Sequence, residues 1–203
     1  MNTITSTVLG ELTQSKDWDD YWESSFIEIP LFDHTKMKII LVDFEPEIDT
    51  DFMEKADSAW TYFIKKDANY RLKISHLAYK NCMDFLQAVD YNEEDKPLWD
   101  IKEEHEIWNF IYPERIDICQ NYNEHGDMYV VVMCECDWER ENGLQFVFKH
   151  GKRLTRVSSI DGLFSDDVAY TPKSRMENKL SITEKESTKK DQVIKKQSWW
   201  KKL

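Results

Sequence analysis

Four carboxylates recur at alternate positions in the run Glu135-Cys136-Asp137-Trp138-Glu139-Arg140-Glu141, with Asp161, Asp166 and Asp167 downstream. Carboxylates that converge at a strand end can hold a hard cation such as Mg²⁺ or Ca²⁺. Strand alternation places only Glu135 and Asp137 on a common face, while Glu139 and Glu141 fall in a loop. The glycine and terminal glutamate of a calcium-binding loop are missing at the required spacing. The series therefore reads as solvated charge, as a protein-binding surface, or as the acids of a metal-assisted enzyme built on Glu135 and Asp137.

Cys134-x-Cys136 could supply half a zinc site, with Cys82, Cys119 or one of the five histidines completing it. No Cys-x₂-Cys or His-x₃-His spacing supports that arrangement. Two buried thiols on one strand face explain the pair more simply. A Gly-x-Ser-x-Gly elbow, a phosphate loop and a Gly-x-Gly-x-x-Gly turn are all absent, and the chain has only five glycines. No catalytic residue and no cofactor is expected on these grounds.

These residues sit in the stretch from Met128 to Gly162, which carries the strongest strand signal. Tyr129 to Met133 is continuously apolar, so both faces of that strand must be covered. Cys134, Cys136 and Trp138 share one face, and Leu144, Phe146 and Phe148 line one face of the next strand. A two-residue Asn142-Gly143 turn would set Asp137, Glu139 and Glu141 opposite those apolar side chains, at a cost of several kcal/mol per unpaired charge. A wider loop, 139–143, instead sets Trp138 opposite Leu144, Cys136 opposite Phe146 and Cys134 opposite Phe148. Gly143 then supplies a positive φ or a bulge. A second hairpin turns at His150-Gly151. Leu154 and Val157 fall on opposite faces of its return strand, the mark of an edge or a bulge. Asp161-Gly162 closes the meander.

Upstream, residues 1–25 are polar and threonine-rich, interrupted by Asp17-Trp18-Asp19-Asp20-Tyr21-Trp22. Phe26, Ile27 and Ile29 lead through a hairpin-like 31–36 connection to a strand at Met37–Phe44, which Glu45-Pro46-Glu47 ends. Residues 49–66 are helical, capped by Asp49 or Thr50, with Phe52, Ala56, Ala59, Trp60 and Phe63 as the apolar stripe. A second helix spans about 70–89, burying Ile74, Leu77, Ala78, Met83, Phe85 and Leu86. A short helical segment at 101–108 precedes a turn at Pro113 and a strand marked by Ile116, Ile118 and Tyr122. The expected fold is α+β, a mostly antiparallel sheet with two or three helices packed on one face. Residues 1–170 form the domain, and 171–203 form a basic tail, flexible or loosely helical.

Charge sharpens that boundary. The formal net charge is -12, and residues 171–203 contribute ten Lys or Arg against four Asp or Glu, a net of +6. The first 170 residues therefore carry -18, which repels nucleic-acid phosphates and attracts cationic partners. Trp18, Tyr21 and Trp22 are interleaved with acids, as are Trp99 and Trp108. An apolar centre within an acidic rim suits a basic protein, although the same rings could simply cover seams between helix and sheet. Neither a basic, apolar leader nor an 18-residue apolar run is present, so a cytoplasmic location is expected. Trp199 and Trp200, set among lysines, could pack on the body or meet a membrane or a partner.

The run Cys134-Glu135-Cys136-Asp137-Trp138-Glu139, then Glu141-Asn142-Gly143-Leu144-Gln145, Val147-Phe148, Gly151, Leu154, Val157 and Asp161-Gly162 resembles the signature of DUF6985, a bacterial family of unknown function. Asn142 stands where relatives often carry histidine. The resemblance covers roughly residues 10–170 and implies no catalytic residues. It implies a small cytoplasmic bacterial protein, some relatives resembling immunity or accessory proteins of toxin systems. Together with the charge, it leads to the expectation of a non-enzymatic module that binds a cationic protein. The candidate contacts are Trp18, Tyr21, Trp22, Glu135, Asp137, Glu139 and Glu141.

Overall fold

The computed structural model describes residues 2–122, 126–166 and 168–169, so the 171–203 segment lies outside the described residues. The chain opens with β1 (Thr3–Ser6), β2 (Gly10–Gln14), β3 (Trp22–Ser24), β4 (Ile27–Ile29) and β5 (Thr35–Val42). Helices α1 (Phe52–Phe63) and α2 (Ala68–Ala88) follow, then a single turn α3 (Lys96–Trp99) and a 3-10 segment at Glu104–Phe110. The chain returns to the sheet as β6 (Ile111–Gln120), β7 (Met128–Cys136), β8 (Leu144–Lys149) and β9 (Arg153–Ser158). A small pair, β10 (Leu163–Ser165) and β11 (Val168–Ala169), completes the described part.

The α+β class holds, but the sheet is mixed, correcting the expectation of a mostly antiparallel one. Its order is β1-β2-β3-β5-β6-β7-β8-β9, with β4 also paired to β5. The crossover through α1 and α2 brings β6 in beside β5 in parallel, Ile39 opposite Ile116 and Leu41 opposite Ile118. Parallel neighbours need such a long connection, and the two helices supply it.

Strand alternation divides the interior into two layers. Ile39, Leu41, Ile116, Ile118, Val130, Val132, Phe146 and Phe148 meet the helices in the larger core. On the other face, Val42, Cys119, Tyr129, Val131 and Val147 form a smaller cluster with Phe164 of β10. Tyr129 and Phe164 lie 4.2 Å apart between ring centroids. Both faces of β7 are thus buried, as its unbroken apolar run requires.

Three local readings change. The connection from β7 to β8 is wider than expected. Cys134 faces Leu144, Val132 faces Phe146 and Val130 faces Phe148, while Cys136 pairs with Ile111 of β6. Moving along the strand by an even number of residues leaves every side chain on its expected face. Trp138 leaves the strand, and its indole donates to Asn81 Oδ1 at 3.1 Å on α2. Residues 3–14, read as plain polar segment, form a hairpin whose buried side chains are few, Ser6, Leu9 and Leu12. Pro113 sits inside β6 rather than in a turn, at the register shift between Pro113 and Arg115.

The helices start close to where expected, with different caps and faces. The N-cap residue of α1 is Asp51, without a side-chain cap, and Asp49 accepts instead from the Glu45 amide at 2.9 Å. Asp67 caps α2 by accepting from the Tyr70 amide at 3.0 Å. Ile74, Ser75, Ala78, Cys82 and Leu86 make the buried stripe of α2, whereas Leu77 is exposed.

The β8–β9 turn is pinned to α1. Gly151 has φ +66°, and a Cβ there would lie 1.9 Å from the Ala59 carbonyl oxygen. The buried Lys66 ammonium closes the contact by donating to the Gly151 carbonyl at 2.8 Å. Gly162 also has a positive φ, of +73°, but its Cβ would meet open space. Gly151→Ala is therefore expected to destabilise the chain by about 3 kcal/mol, from strain plus overpacking. Gly162→Ala should cost about 1 kcal/mol, from strain alone. Denaturant melting of both variants checks the difference.

Candidate functional site

The acidic run from Glu135 to Glu141 divides once folded. Glu135 stands opposite Tyr112 of β6 and is exposed, and Asp137 accepts from the Tyr112 hydroxyl at 3.2 Å. Glu139 works inside its own loop, its Oε1 accepting from the Asn142 amide at 3.3 Å and its carbonyl from the Gly143 amide at 2.9 Å. Gly143 suits that loop, because a Cβ there would lie 2.7 Å from the Cys134 carbonyl oxygen. Glu141 is exposed, and with Asp137, Glu139 and Arg140 it borders a shallow cavity of about 410 Å³ against Phe85. Among the described residues, no three His, Cys, Asp or Glu side chains gather as a metal-holding set.

The rest of the signature is architectural. Cys134, Cys136, Trp138, Leu144, Phe146 and Phe148 are core residues. Asp161 accepts from the Gln145 amide group at 3.0 Å and from Arg156 at 2.6 Å, tying β8 and β9 to the turn at Gly162. All four cysteines are buried and free. Burial pushes the Cys136 thiol up to about 11, against the lowering effect of backbone hydrogen bonding at Glu139 and Trp138, and pushes that of Cys82 up to about 12.

The aromatic–acidic run near the N-terminus builds a different site. Between β2 and β3 the chain folds into a compact turn, with the Ser15 amide bonded to the Tyr21 carbonyl at 2.8 Å and the Tyr21 amide to that of Trp18 at 3.2 Å. Trp18 is left 62% exposed beside the Tyr21 ring, 5.9 Å away between centroids. Trp22 is only 4% exposed, and its indole donates to the Phe44 carbonyl at 3.1 Å. The Phe44 amide donates to the Asp20 carbonyl at 2.9 Å, drawing the next turn, Glu45 to Asp49, alongside.

These two turns are the walls of an open groove of about 910 Å³. Trp22, Ile4, Pro46 and Ile48 give it an apolar lining, and Asp19, Asp20, Glu45 and Glu47 stand along it. No Lys or Arg lines it among the described residues. One wall, Trp18 to Trp22, is visible in the sequence as an aromatic–acidic run. In sequence, Glu45-Pro46-Glu47 reads only as the end of a strand, because the two segments meet through a backbone bond, Phe44 to Asp20, that leaves no residue pattern.

One further acid is buried in the sheet. Asp117 lies on β6 between Ile40 and Val131, on the face away from the helices. Arg115 Nε lies 3.2 Å from its Oδ1, and Arg115 Nη2 donates to Oδ2 at 3.3 Å. The Nε contact lacks hydrogen-bond alignment, so Oδ1 has no hydrogen-bond donor. Burial raises the Asp117 carboxyl to about 6, against the opposing pull of Arg115. Tyr21 is raised as well, first by burial and then by Asp43 and Asp117.

The model of the domain of unknown function DUF6985 matches residues 8–164. The chain belongs to the DUF6985 family. No curated protein and no solved structure gives a significant match. The DUF6985 match takes in both turns of the groove and the 134–162 signature, and β1 lies before it. Among the described residues, no helix is long and apolar enough to cross a membrane.

Two measurements follow from the buried groups. The folded chain binds the Asp117 proton more tightly than the unfolded chain does. The resulting stabilisation is complete at low pH and is lost as pH rises through about 6. Asp117→Asn should flatten the stability profile between about pH 4 and 6 and raise stability at neutral pH by on the order of 1–3 kcal/mol, read from denaturant midpoints. Arg115 tolerates the change because it is half exposed. For the thiols, a thiol reagent near neutral pH should label none of the four cysteines in the folded chain and all four in denaturant.

Proposed function

We propose that this DUF6985 chain is a non-enzymatic binding module that holds a cationic protein in the groove between the 15–21 and 45–49 turns. The supporting observation is the arrangement of Asp19, Asp20, Glu45 and Glu47 along an apolar lining that includes Trp22 and Ile48. Lysine and arginine side chains suit such a groove, because their aliphatic stems cover apolar surface while their charged ends meet carboxylates. The body charge of -18 adds long-range attraction, and exposed Trp18 offers a flat apolar contact next to the groove. The immunity or accessory role implied by the resemblance is one form of this reading, with a basic toxin as the partner. In it, Glu135, Asp137 and Glu141 are outlying charges that speed encounter.

A labelled oligolysine peptide titrated against the chain at about 0.05 M salt tests the groove, with a repeat at about 0.5 M salt to screen the attraction. Asp19→Asn with Glu47→Gln is expected to weaken binding about tenfold, whereas Glu135→Gln with Glu141→Gln should change it less than twofold. Equal losses from the two pairs would show that only net charge matters, and the groove reading would then fail.

A further inference from the structure

The groove has a cationic segment within its own chain. We propose that the lysine-rich 171–203 segment occupies the groove intramolecularly, so that a cationic partner must displace it. This inference rests on reading the groove as a surface for cationic chains, and it adds the regulation of that surface.

The exit of the described chain supports it. The Ala169 carbonyl, at the end of β11, accepts from the Asn121 side-chain amide at 3.0 Å. The adjacent Tyr122 hydroxyl donates to the Asp43 carbonyl at 3.3 Å. Asp43 leads directly into Phe44 and the Glu45–Asp49 turn, one wall of the groove. Acids also gather at the exit: Tyr122 is pushed above its ordinary value first by burial and then by Asp49, Asp43 and Asp51. The 34 residues after Ala169 can span up to about 110 Å when extended.

Charge and composition match the groove. The segment carries +6 against a body of -18, and places Trp199 and Trp200 between Lys195-Lys196 and Lys201-Lys202. Lysines address Asp19, Asp20, Glu45 and Glu47, and the two indoles address the apolar lining around Ile48. A tether of this length gives an effective concentration of about a millimolar. Even weak contacts then fill the groove for much of the time, and a partner must outcompete them.

Ser198→Cys in the full chain, labelled with a photoactivatable maleimide, tests the placement directly, since the four native cysteines are buried. Illumination at low salt should give crosslinks within one chain, to residues 2–22 and 44–49, and Asp19→Asn with Asp20→Asn should lower their yield. Crosslinks confined to the helices, scattered over the surface, or formed only between chains would overturn the proposal. In parallel, Gln at Lys195, Lys196, Lys201 and Lys202 should strengthen oligolysine binding about tenfold by removing the internal competitor. Unchanged binding in that variant would reject competition and leave the groove reading intact. Groove crosslinks without any oligolysine binding, even in that variant, would reject the groove reading for partners and keep the internal contact.

Discussion

The fold depends on burying both faces of β7. Its run from Tyr129 to Val132 is buried without interruption, so one cover cannot stabilise it. Helices α1 and α2 cover the side of Val130 and Val132, and the β10 residue Phe164 packs at a tilt against Tyr129 on the other side. The crossover that supplies the helices also forces β6 to lie parallel to β5. The contact of Gly151 with Ala59 then fixes how closely the β8–β9 turn approaches α1. A change at that turn is therefore felt in the main core, although the turn itself is partly solvent-facing.

Much of this was legible where burial imposes a period. Even positions of β7 and β8 face the helices, as the pattern from Cys134 to Phe148 requires, and the α1 stripe from Phe52 to Phe63 is buried as read. The register was not legible. An even shift preserves every face, so the hydrophobic pattern cannot distinguish Cys134 from Val130 as the partner of Phe148. What decides it is the 137–143 loop, where Trp138 reaches Asn81 and Gly143 approaches Cys134. The β1–β2 hairpin escaped for a different reason: it buries Ser6 through Asp57 of α1 rather than a row of apolar side chains. The Ser6 hydroxyl donates to Asp57, and Thr7 Oγ1 donates to the same carboxylate at 2.8 Å. Such a contact joins residues fifty positions apart and leaves no local signature.

The candidate site was half legible for a related reason. The aromatic–acidic run from Asp17 to Trp22 announces an unusual surface. Its partner, Glu45-Pro46-Glu47, becomes part of that surface only through the Phe44–Asp20 backbone bond. By contrast, the carboxylates of the 135–141 run looked like a cluster in sequence. Folding gives them separate tasks: Asp137 accepts from Tyr112, and Glu139 holds its own loop. Density of one residue type along a chain is a poor measure of density in space.

Trp22 links the acidic groove to the core and explains how its walls are held so close together. Its ring packs on Phe44 at 6.4 Å, Phe44 stacks on Phe52 of α1 at 4.5 Å, and the Trp22 indole is bonded to the Phe44 carbonyl. The same residue, Phe44, uses its amide to hold Asp20. Carboxylates drawn together repel one another, by about 1 kcal/mol per close pair when well solvated. The aromatic column opposes that repulsion, since each such ring contact contributes about 0.5–1.5 kcal/mol beyond its buried area. Loss of the Trp22 ring would therefore let the acidic walls separate before it unfolded the sheet, because β5 remains paired with β6 through five consecutive register positions.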